Sequence, residues 1–367
     1  MTLTVPAARY VDRLRAARAS LSDARADAML VGVGPDLRWL TGYAAMPLER
    51  LTMLVVPAEG DVQLIVPRLE QAPAALSPAV AEGAATIVTW QETEDPFDRV
   101  ADALPGLRDD ARVLVSDRLY AVFLLRAQQR LPEARFAAAS EILGQLRAVK
   151  DADEVSLLRT AAHAADSVVE AIARGRLVDA GHELAMFSIV ASGPNSASPH
   201  HEASSRVIGA GESIVLDIGG TLEGYGSDIT RTIWVTGGDA ANGPTDEFAH
   251  LYATLQAAQA EATAAVRPGV PCESIDAVAR ERIAAAGLGD FFIHRTGHGI
   301  GLEGHEDPYL VAGNRDPLPE GAAFSVEPGI YVEGRYGARI EDIVVCGAEG
   351  PDLLNEAPRD LYVVSGT

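Results

Sequence analysis

Histidine is scarce in this chain, and most of the histidines fall in two short segments. Of the eight histidines, His200 and His201 form one group, and His294, His298 and His305 form the other. A single histidine is most often a structural side chain with a satisfied hydrogen bond. Histidines grouped beside glycines and carboxylates instead indicate a site for metal binding or acid–base chemistry.

Carboxylates interrupt segments that otherwise have the apolar sequence of buried strands. Each of these carboxylates adjoins a run of aliphatic or aromatic residues. The four are Asp217, Asp228, Glu327 and Glu341. A carboxylate in an apolar strand is costly to bury unless it is paired with a cation or bound to a metal. A metal centre explains four of them, with histidines nearby, better than separate salt bridges do. If the strands that carry Asp217 and Asp228 form a hairpin, both carboxylates reach one site, because paired strands lie only about 5 Å apart.

Other catalytic signatures are missing from the sequence. Lys150 is the only lysine and does not follow a glycine, so there is no P-loop, and a Schiff-base mechanism would have a single candidate. No Gly-x-Ser-x-Gly nucleophile elbow, His-Glu-x-x-His zinc motif or EF-hand loop occurs. The glycine-rich dinucleotide fingerprint is also absent, which argues against a Rossmann-type cofactor site.

The elements that must position these residues follow an α/β segment. Residues 7–26 have apolar side chains at helical spacing, and short apolar runs then alternate with helix-like segments to about residue 140. Strands alternating with helices predict an α/β domain over residues 1–140. The predicted strands are Ala28–Val33, Leu51–Val56, Val62–Val66, Ala85–Trp90 and Arg112–Val115.

Residues 141–367 have a different pattern, in which helices are followed by strands. Asp151 and Glu154 have capping-box spacing ahead of a long amphipathic helix, and a second helix is predicted at about 179–192. Helices and then strands occur twice, which predicts a duplicated architecture. The remaining predicted elements are strands at Ser213–Ile218 and Ile229–Val235, helices near 244–266 and 272–286, and strands near 322–327, 330–334 and 338–346.

Composition restricts the partners of the protein. The 367 residues include 30 basic and 52 acidic side chains, giving a net charge of −22. A surface this acidic repels phosphate backbones and anionic lipid, so we expect neither nucleic acid nor a membrane as a partner. No apolar run is long enough to cross a bilayer, residues 1–14 lack a basic region followed by an apolar run, and the two cysteines lack disulfide-framework or CxxC spacing. We therefore expect neither a membrane span nor a signal peptide. These features predict a cytoplasmic protein.

Five segments, in this order, resemble the metallopeptidase family of Xaa-Pro dipeptidase (prolidase), aminopeptidase P and methionine aminopeptidase. The residues before 141 resemble the creatinase-type N-terminal domain, so the resemblance extends over nearly the whole chain. It implies an α/β protein in which a creatinase-like N-terminal domain precedes a pita-bread α+β domain with two related halves. The five segments are SGPNSASPHH (192–201), LDIGGTLEGYGSDITRT (216–232), HRTGHGIGLEGHE (294–306), SVEPGIY (325–331) and RIED (339–342).

The resemblance implies five metal ligands, carried over position by position. Asp217 would bind one ion, Asp228 and Glu341 would bridge two ions, and His298 and Glu327 would complete the second. Four carboxylates would balance the charge of two divalent cations. A ligand set made mostly of oxygen suits manganese or a similar ion, with cobalt and zinc as alternatives.

The resemblance also implies roles for residues beside the metal ions. His200 matches a histidine that contacts the scissile peptide, and His305 matches one that stabilises the tetrahedral intermediate. His294 matches a substrate-binding position. Arg339 would orient the bridging carboxylates.

The N-terminal stretch Pro35–Tyr43 resembles the entrance loop of the family, and we predict a loop over Pro35–Arg50. Its charged groups suit the ends of a short peptide. We predict that Asp36 pairs with the substrate ammonium, and that Arg50 narrows the entrance or holds the substrate carboxylate.

These observations favour a dinuclear metallopeptidase that cleaves Xaa-Pro bonds in short proline-containing peptides. A dipeptidase is preferred because the chain is short, and aminopeptidase P is the alternative because both activities share every motif. The intact ligand set argues against a metal-free creatinase-like relative or a non-catalytic one. The N-terminal domain argues against methionine aminopeptidase. The resemblance further implies a homodimer.

Overall fold

The computed structural model describes residues 5–170, 180–201 and 205–365. Packing of the backbone divides the chain into two compact units, which meet between Arg147 and Ala148. The boundary predicted between residues 140 and 141 lies at the start of the helix Ser140–Ala148.

The first unit is built on one six-stranded mixed sheet. The strands are β1 Ala28–Gly32, β2 Met53–Pro57, β3 Gln63–Pro67, β4 Thr86–Trp90, β5 Arg112–Val115 and β6 Arg135–Ala138. The helices are α1 Ala7–Asp23, α2 Pro35–Thr41, α3 Gln71–Ala75, α4 Pro78–Ala81, α5 Pro96–Asp102, α6 Ala121–Arg130 and α7 Ser140–Ala148. The sheet order is β4-β3-β2-β1-β5-β6, so the five predicted strands are confirmed and β6 is an addition.

Part of the predicted entrance loop at 35–50 is helical, which corrects that prediction. Pro35 begins α2, and a proline at the first helical position costs no intrahelical hydrogen bond. Gly42 ends the helix with a φ of 75°, a left-handed conformation that favours glycine. Leu37 and Leu40 are buried, so the helix packs into the core of the first unit.

The second unit contains two further sheets and a hairpin. The helices are α8 Ala152–Glu170, α9 Asp246–Ala265 and α10 Cys272–Ala285. The strands are β7 Leu184–Ser192, β8 Glu212–Leu222, β9 Tyr225–Val235, β10 Gly297–Gly299, β11 Glu306–Leu310, β12 Ala323–Val326, β13 Gly329–Val332, β14 Tyr336–Arg339, β15 Asp342–Gly347, β16 Gly350–Leu353 and β17 Tyr362–Val364. One sheet has the order β17-β9-β8-β7, another has β11-β10-β12-β15-β16, and β13 pairs with β14.

The predicted capping box at the start of α8 is present. The Glu154 carboxylate accepts a hydrogen bond from the Asp151 amide at 2.9 Å, and the Asp151 carboxylate accepts one from the Glu154 amide at 2.9 Å. This reciprocal pairing satisfies two amides that have no partner within the helix.

The helix predicted at about 179–192 is wrong over the described residues, because Leu184–Ser192 forms strand β7. Residue 179 lies outside the described residues. Leu184, Ala185 and Met186 favour helix locally, but the strand pairs with β8 along nearly its whole length. Pairing with a neighbouring strand outweighs this local preference.

The core of the second unit is formed by α9, α10 and the strands beneath them. Phe248 and Leu255 of α9 pack in one apolar cluster with Ile275 of α10. Cys272 and Cys346 lie in the same cluster as buried free thiols, in agreement with the absence of a disulfide framework. Over 5–170, 180–201 and 205–365, no helix has both the length and the apolar character needed to cross a bilayer.

Candidate metal centre and active site

Three carboxylates are brought together by the register of neighbouring strands. In the β8–β9 hairpin, Asp217 lies opposite Thr230, and Asp228 lies opposite Gly219. Thr230 also forms a β-bridge with Glu341 on its other side, and its carbonyl accepts a hydrogen bond from the Glu341 amide at 3.1 Å. Asp217 and Glu341 therefore flank Thr230 from its two sides, and Asp228 lies two positions before Thr230 on the same strand, where side chains share a face.

His298 and Glu327 come from the second sheet. A Cβ atom added to Gly297 would lie 1.9 Å from the Ser325 carbonyl oxygen, so only glycine allows β10 to approach β12 this closely. The Glu327 amide donates to the Thr296 carbonyl at 2.8 Å. This packing places His298 Nε2 3.3 Å from Glu327 Oε1.

The side chains present fit a metal ion. Ligand atoms of Asp228, His298 and Glu341 lie within 4.8 Å of one another, and all three residues are buried. Oδ1 of Asp217 and Oδ1 of Asp228 are buried and have no hydrogen-bond partner among the described residues. Leaving a carboxylate oxygen buried and unsatisfied is costly, and a bound cation removes that cost.

The tautomer of His298 suits metal binding. Its Nδ1 lies 3.1 Å from the Gly299 carbonyl, which can only accept, so Nδ1 carries the proton. The lone pair of Nε2 is then free beside the carboxylates of Glu327 and Asp228. The distance from Nε2 to Asp228 Oδ2 is 3.9 Å. Burial, with His305 nearby, lowers the pKa of His298 to about 3, so the ring is neutral as a ligand must be.

The clustered carboxylates repel one another in the absence of a cation. Burial raises the pKa values of Asp228 and Glu341 well above the ordinary range, and the neighbouring acidic groups add to the effect. Burial also raises the pKa of Glu327 to about 7. Divalent cations would offset this repulsion and hold the carboxylates ionised.

Arg339 binds the carboxylate of Asp217 directly and reaches Glu341 through a threonine. Its Nη2 lies 2.5 Å from Asp217 Oδ2, and its Nε donates to Thr230 Oγ1 at 3.1 Å. The Thr230 hydroxyl in turn donates to Glu341 Oε2 at 2.7 Å. Thr230 is therefore a site residue that the sequence analysis missed, and its position two residues after Asp228, on the same face of a predicted strand, was the available signal.

His294 is tied to Arg339 through Tyr331, which the sequence analysis also missed. The Tyr331 hydroxyl lies 2.7 Å from Arg339 Nη1, from which it accepts, and 2.9 Å from His294 Nε2, to which it donates. The opposite ring nitrogen of His294 donates to the Arg295 carbonyl at 2.7 Å. Burial lowers the pKa of His294 to about 4, and both ring nitrogens of this neutral imidazole are engaged within the protein.

A cavity of about 850 Å³ opens onto this cluster. Its lining includes all five predicted metal ligands together with Arg339, His200, His294 and His305. The apolar part of the cavity wall is formed by Phe187, Ile189 and Ile293. The size is that of a site for a small molecule or a short peptide.

His305 lies against the metal cluster within this cavity. Its ring centroid is 3.8 Å from that of His298, and its Nδ1 is 3.2 Å from Nη2 of Arg295. Burial and the charge of Arg295 lower the pKa of His305, so the imidazole is neutral near pH 7. An arginine bound to Nδ1 takes that lone pair, which leaves the proton on Nε2.

Asp36 and Arg50 belong to the first unit, and the cavity is lined by residues of the second unit. The Asp36 carboxylate is bound to Arg147 at 2.7 Å. Arg50 pairs with Glu49 at 2.8 Å and with Glu92 at 2.7 Å. Both side chains therefore have partners in their own unit, and their contact with a substrate stays a prediction.

Comparison with known proteins agrees with this geometry. Residues 135–348 match the model of metallopeptidase family M24, and residues 13–149 match the creatinase/prolidase N-terminal domain. The probable dipeptidase PepE of Mycobacterium tuberculosis is 41% identical over 372 residues, covering 97% of this chain and 96% of its own.

Two solved structures extend the likeness to the fold. Dipeptidase PepE from Mycobacterium ulcerans has a TM-score of 0.91 and 43% identity, covering 98% of this chain and 99% of its own. A prolidase from Thermococcus sibiricus has a TM-score of 0.87 and 32% identity, covering 98% of this chain and 100% of its own. With a creatinase-type N-terminal domain followed by a pita-bread domain, the chain is a metallopeptidase that belongs to family M24.

Proposed function

We propose that this metallopeptidase is a dinuclear, metal-dependent Xaa-Pro dipeptidase. The observation that carries the proposal is the convergence of five potential ligands on one cavity, with two buried carboxylate oxygens that no described residue pairs with. The relatives named dipeptidase and prolidase support the substrate class. The enzyme would act on short proline-containing peptides.

Five residues would hold the two ions. Asp217 would bind the first, Asp228 and Glu341 would bridge both, and His298 and Glu327 would complete the second. The oxygen-rich set favours manganese, with cobalt and zinc as alternatives. Divalent ions supply Lewis-acid polarisation of a carbonyl and activation of water for attack on it.

The chain's own histidines would act on the substrate. The neutral His305, with Arg295 at Nδ1, presents Nε2–H as a donor to the oxygen on which charge develops. His200 lines the same cavity and would orient the scissile peptide. Arg339 would keep Asp217 and, through Thr230, Glu341 in place.

An Xaa-Pro aminopeptidase is the second candidate. The same residues serve both activities, and a cavity of about 850 Å³ is large enough to admit a peptide longer than two residues. We further propose that the enzyme is a cytoplasmic homodimer, which sedimentation of the active enzyme tests directly. A monomer that is fully active at the assay concentration contradicts the dimer.

Parallel assays of Xaa-Pro dipeptides and Xaa-Pro-Xaa tripeptides test the activity. Chelation should abolish hydrolysis and Mn²⁺ should restore it, with dipeptides giving the higher kcat/KM. Asp228→Asn and Glu341→Gln should each lower the bound metal from two ions per chain. Asp352→Asn removes an exposed carboxylate paired with Arg159 and is the matched control. Full activity after exhaustive chelation overturns the metal mechanism, and preference for tripeptides transfers the assignment to aminopeptidase.

A further inference from the structure

The only lysine of the chain lies in a buried ion pair. Lys150 Nζ is 2.8 Å from Glu306 Oε1, and the two side chains are only 1% and 9% exposed. The ammonium also donates to the Ala148 carbonyl at 3.3 Å. Lysine is seldom buried to this extent unless it is paired, and desolvating both charges is costly. Metal binding by the predicted ligands does not account for the burial of this ion pair.

The backbone around Lys150 is attached to the strand that leads to a predicted metal ligand. The Lys150 amide donates to the Gly321 carbonyl at 3.0 Å. Val149 forms a β-bridge with Ala322, immediately before β12. Because β12 continues to Glu327, the ammonium projects from a point that is fixed relative to the metal cluster.

The other partner of the pair directly follows His305 in the chain. Glu306 is the first residue of β11, where it lies opposite Gly299 of β10. A Cβ atom added to Gly301 would lie 2.5 Å from Glu306 Oε1, so the carboxylate packs against backbone there. Residues 301–305 lie outside the strands, and the Glu306 carboxylate also accepts a hydrogen bond from the Glu303 amide at 3.4 Å, so Glu306 contacts the chain on both sides of His305.

We propose that Lys150 is a positioning residue for His305, acting through Glu306. This rests on the proposed function, in which His305 acts on the transition state. The ion pair fixes the residue that follows His305, and thereby keeps the imidazole against His298. Loss of the pair displaces the imidazole, and misplacement of a catalytic group by about 1 Å can cost ~100-fold in rate.

Kinetics of three variants test the coupling. Lys150→Met keeps the apolar stem without the charge, Glu306→Gln neutralises the carboxylate, and the third variant combines both changes. We expect each single change to lower kcat by about 10-fold to 100-fold, with KM within about threefold and metal content unchanged. The double variant should be no slower than the slower single variant, since both changes remove one interaction. Arg159→Met, which removes a partly exposed ion pair with Asp352, is the matched control and should keep wild-type kcat.

A single lysine also gives a direct spectroscopic readout. Protein labelled with ¹⁵N-lysine has one side-chain Nζ resonance, which needs no assignment. It should shift in Glu306→Gln and stay in place in His305→Ala. In histidine-labelled protein loaded with diamagnetic Zn²⁺, the resonance that is missing from His305→Ala should shift in Lys150→Met. If Lys150→Met does not fold, Glu306→Gln carries the same expectations for kcat and for the His305 resonance.

The outcomes separate this inference from the proposed function. Wild-type kcat in a folded Lys150→Met or Glu306→Gln enzyme, or an unmoved His305 resonance, overturns the positioning role and leaves a stabilising pair. Kinetic losses that follow lost metal or lost folded protein overturn it as well. If the wild-type enzyme cleaves no Xaa-Pro peptide and the His305 resonance still responds to Lys150→Met, the proposed function fails while the coupling stands.

Discussion

The guanidinium of Arg339 binds one oxygen of the Asp217 carboxylate, and the other oxygen is buried. Nη2 is 2.5 Å from Oδ2, whereas Oδ1 has no hydrogen bond within the part of the chain that the structure describes. The ion pair fixes the orientation of the carboxylate, so Oδ1 is the oxygen available to a cation. Arg339 thus prepares a ligand without itself binding the metal.

Replacing Arg339 should therefore weaken metal binding before it affects folding. In Arg339→Met, Asp217 loses the partner of Oδ2 and its fixed orientation. We expect metal affinity to fall about 10-fold to 100-fold, as measured by titration of the chelated enzyme with Mn²⁺. Arg335 lies four residues before Arg339 and forms an exposed ion pair with Glu247, and Arg335→Met should leave the affinity unchanged. Wild-type affinity in Arg339→Met contradicts the orienting role.

Two of the histidines that line the cavity, His200 and His305, should affect turnover and not metal binding. His200→Ala and His305→Ala should each lower kcat by about 100-fold, the cost of removing a donor that acts on the transition state. Metal content, measured by elemental analysis, should stay at the wild-type value. His163→Ala, in an exposed position on α8, is the control and should be fully active. Loss of metal from either cavity variant would make that histidine a ligand.

Glu327 should destabilise the metal-free protein in a pH-dependent way. Burial raises its pKa from 4.5 to about 7, so the folded protein binds this proton more tightly than the unfolded chain does. The favourable contribution of the protonated Glu327 carboxyl to the free energy of unfolding is complete below about pH 4.5. It is lost as the pH rises through 7. Glu327→Gln in chelator should therefore increase the free energy of unfolding at pH 8, by at most about 3 kcal/mol, and have little effect at pH 5.

Urea denaturation at the two pH values measures this difference. Added Mn²⁺ should make the wild type more stable than Glu327→Gln at pH 8, because metal binding stabilises the wild type and the variant has lost a ligand. An equal effect of the substitution at pH 5 and pH 8 would show that the stability change does not come from the carboxylate charge.

Local patterns in the sequence predicted the elements whose stability is itself local. The Asp151–Glu154 capping box is present, and α9 and α10 lie where helical periodicity placed them. The apolar runs that form β1 to β5 were recognisable because they are short and bounded by turn residues. The acidic strand residues by themselves predicted a metal centre, and the family resemblance supplied the five ligands and the role of each.

The errors and omissions arise where distant residues decide the structure. Strand β7 has a sequence that suits a helix, and its pairing with β8 decides otherwise. Tyr331 reaches Arg339 because β13 and β14 pair, which no spacing in the sequence reveals. The prediction for Asp36 could not include Arg147, which is 111 residues away in the chain.

That partner gives Asp36 a structural role in the first unit. Its carboxylate is bound to Arg147 at 2.7 Å, and the two side chains are 17% and 9% exposed. Asp36→Ala should lower the free energy of unfolding by about 1–2 kcal/mol, less than for a fully buried pair because solvent screens it. Arg147→Met should cost a similar amount, and the double variant should cost less than the sum of the two. Asp12→Ala, which breaks an exposed pair with Arg15, is the control and should have no measurable effect.

Denaturation of the four variants, with KM for Xaa-Pro dipeptides measured in parallel, decides between a structural role and a substrate-binding role for Asp36. A raised KM in Asp36→Ala without loss of stability would show that the carboxylate serves the substrate, as the resemblance to an entrance loop predicted.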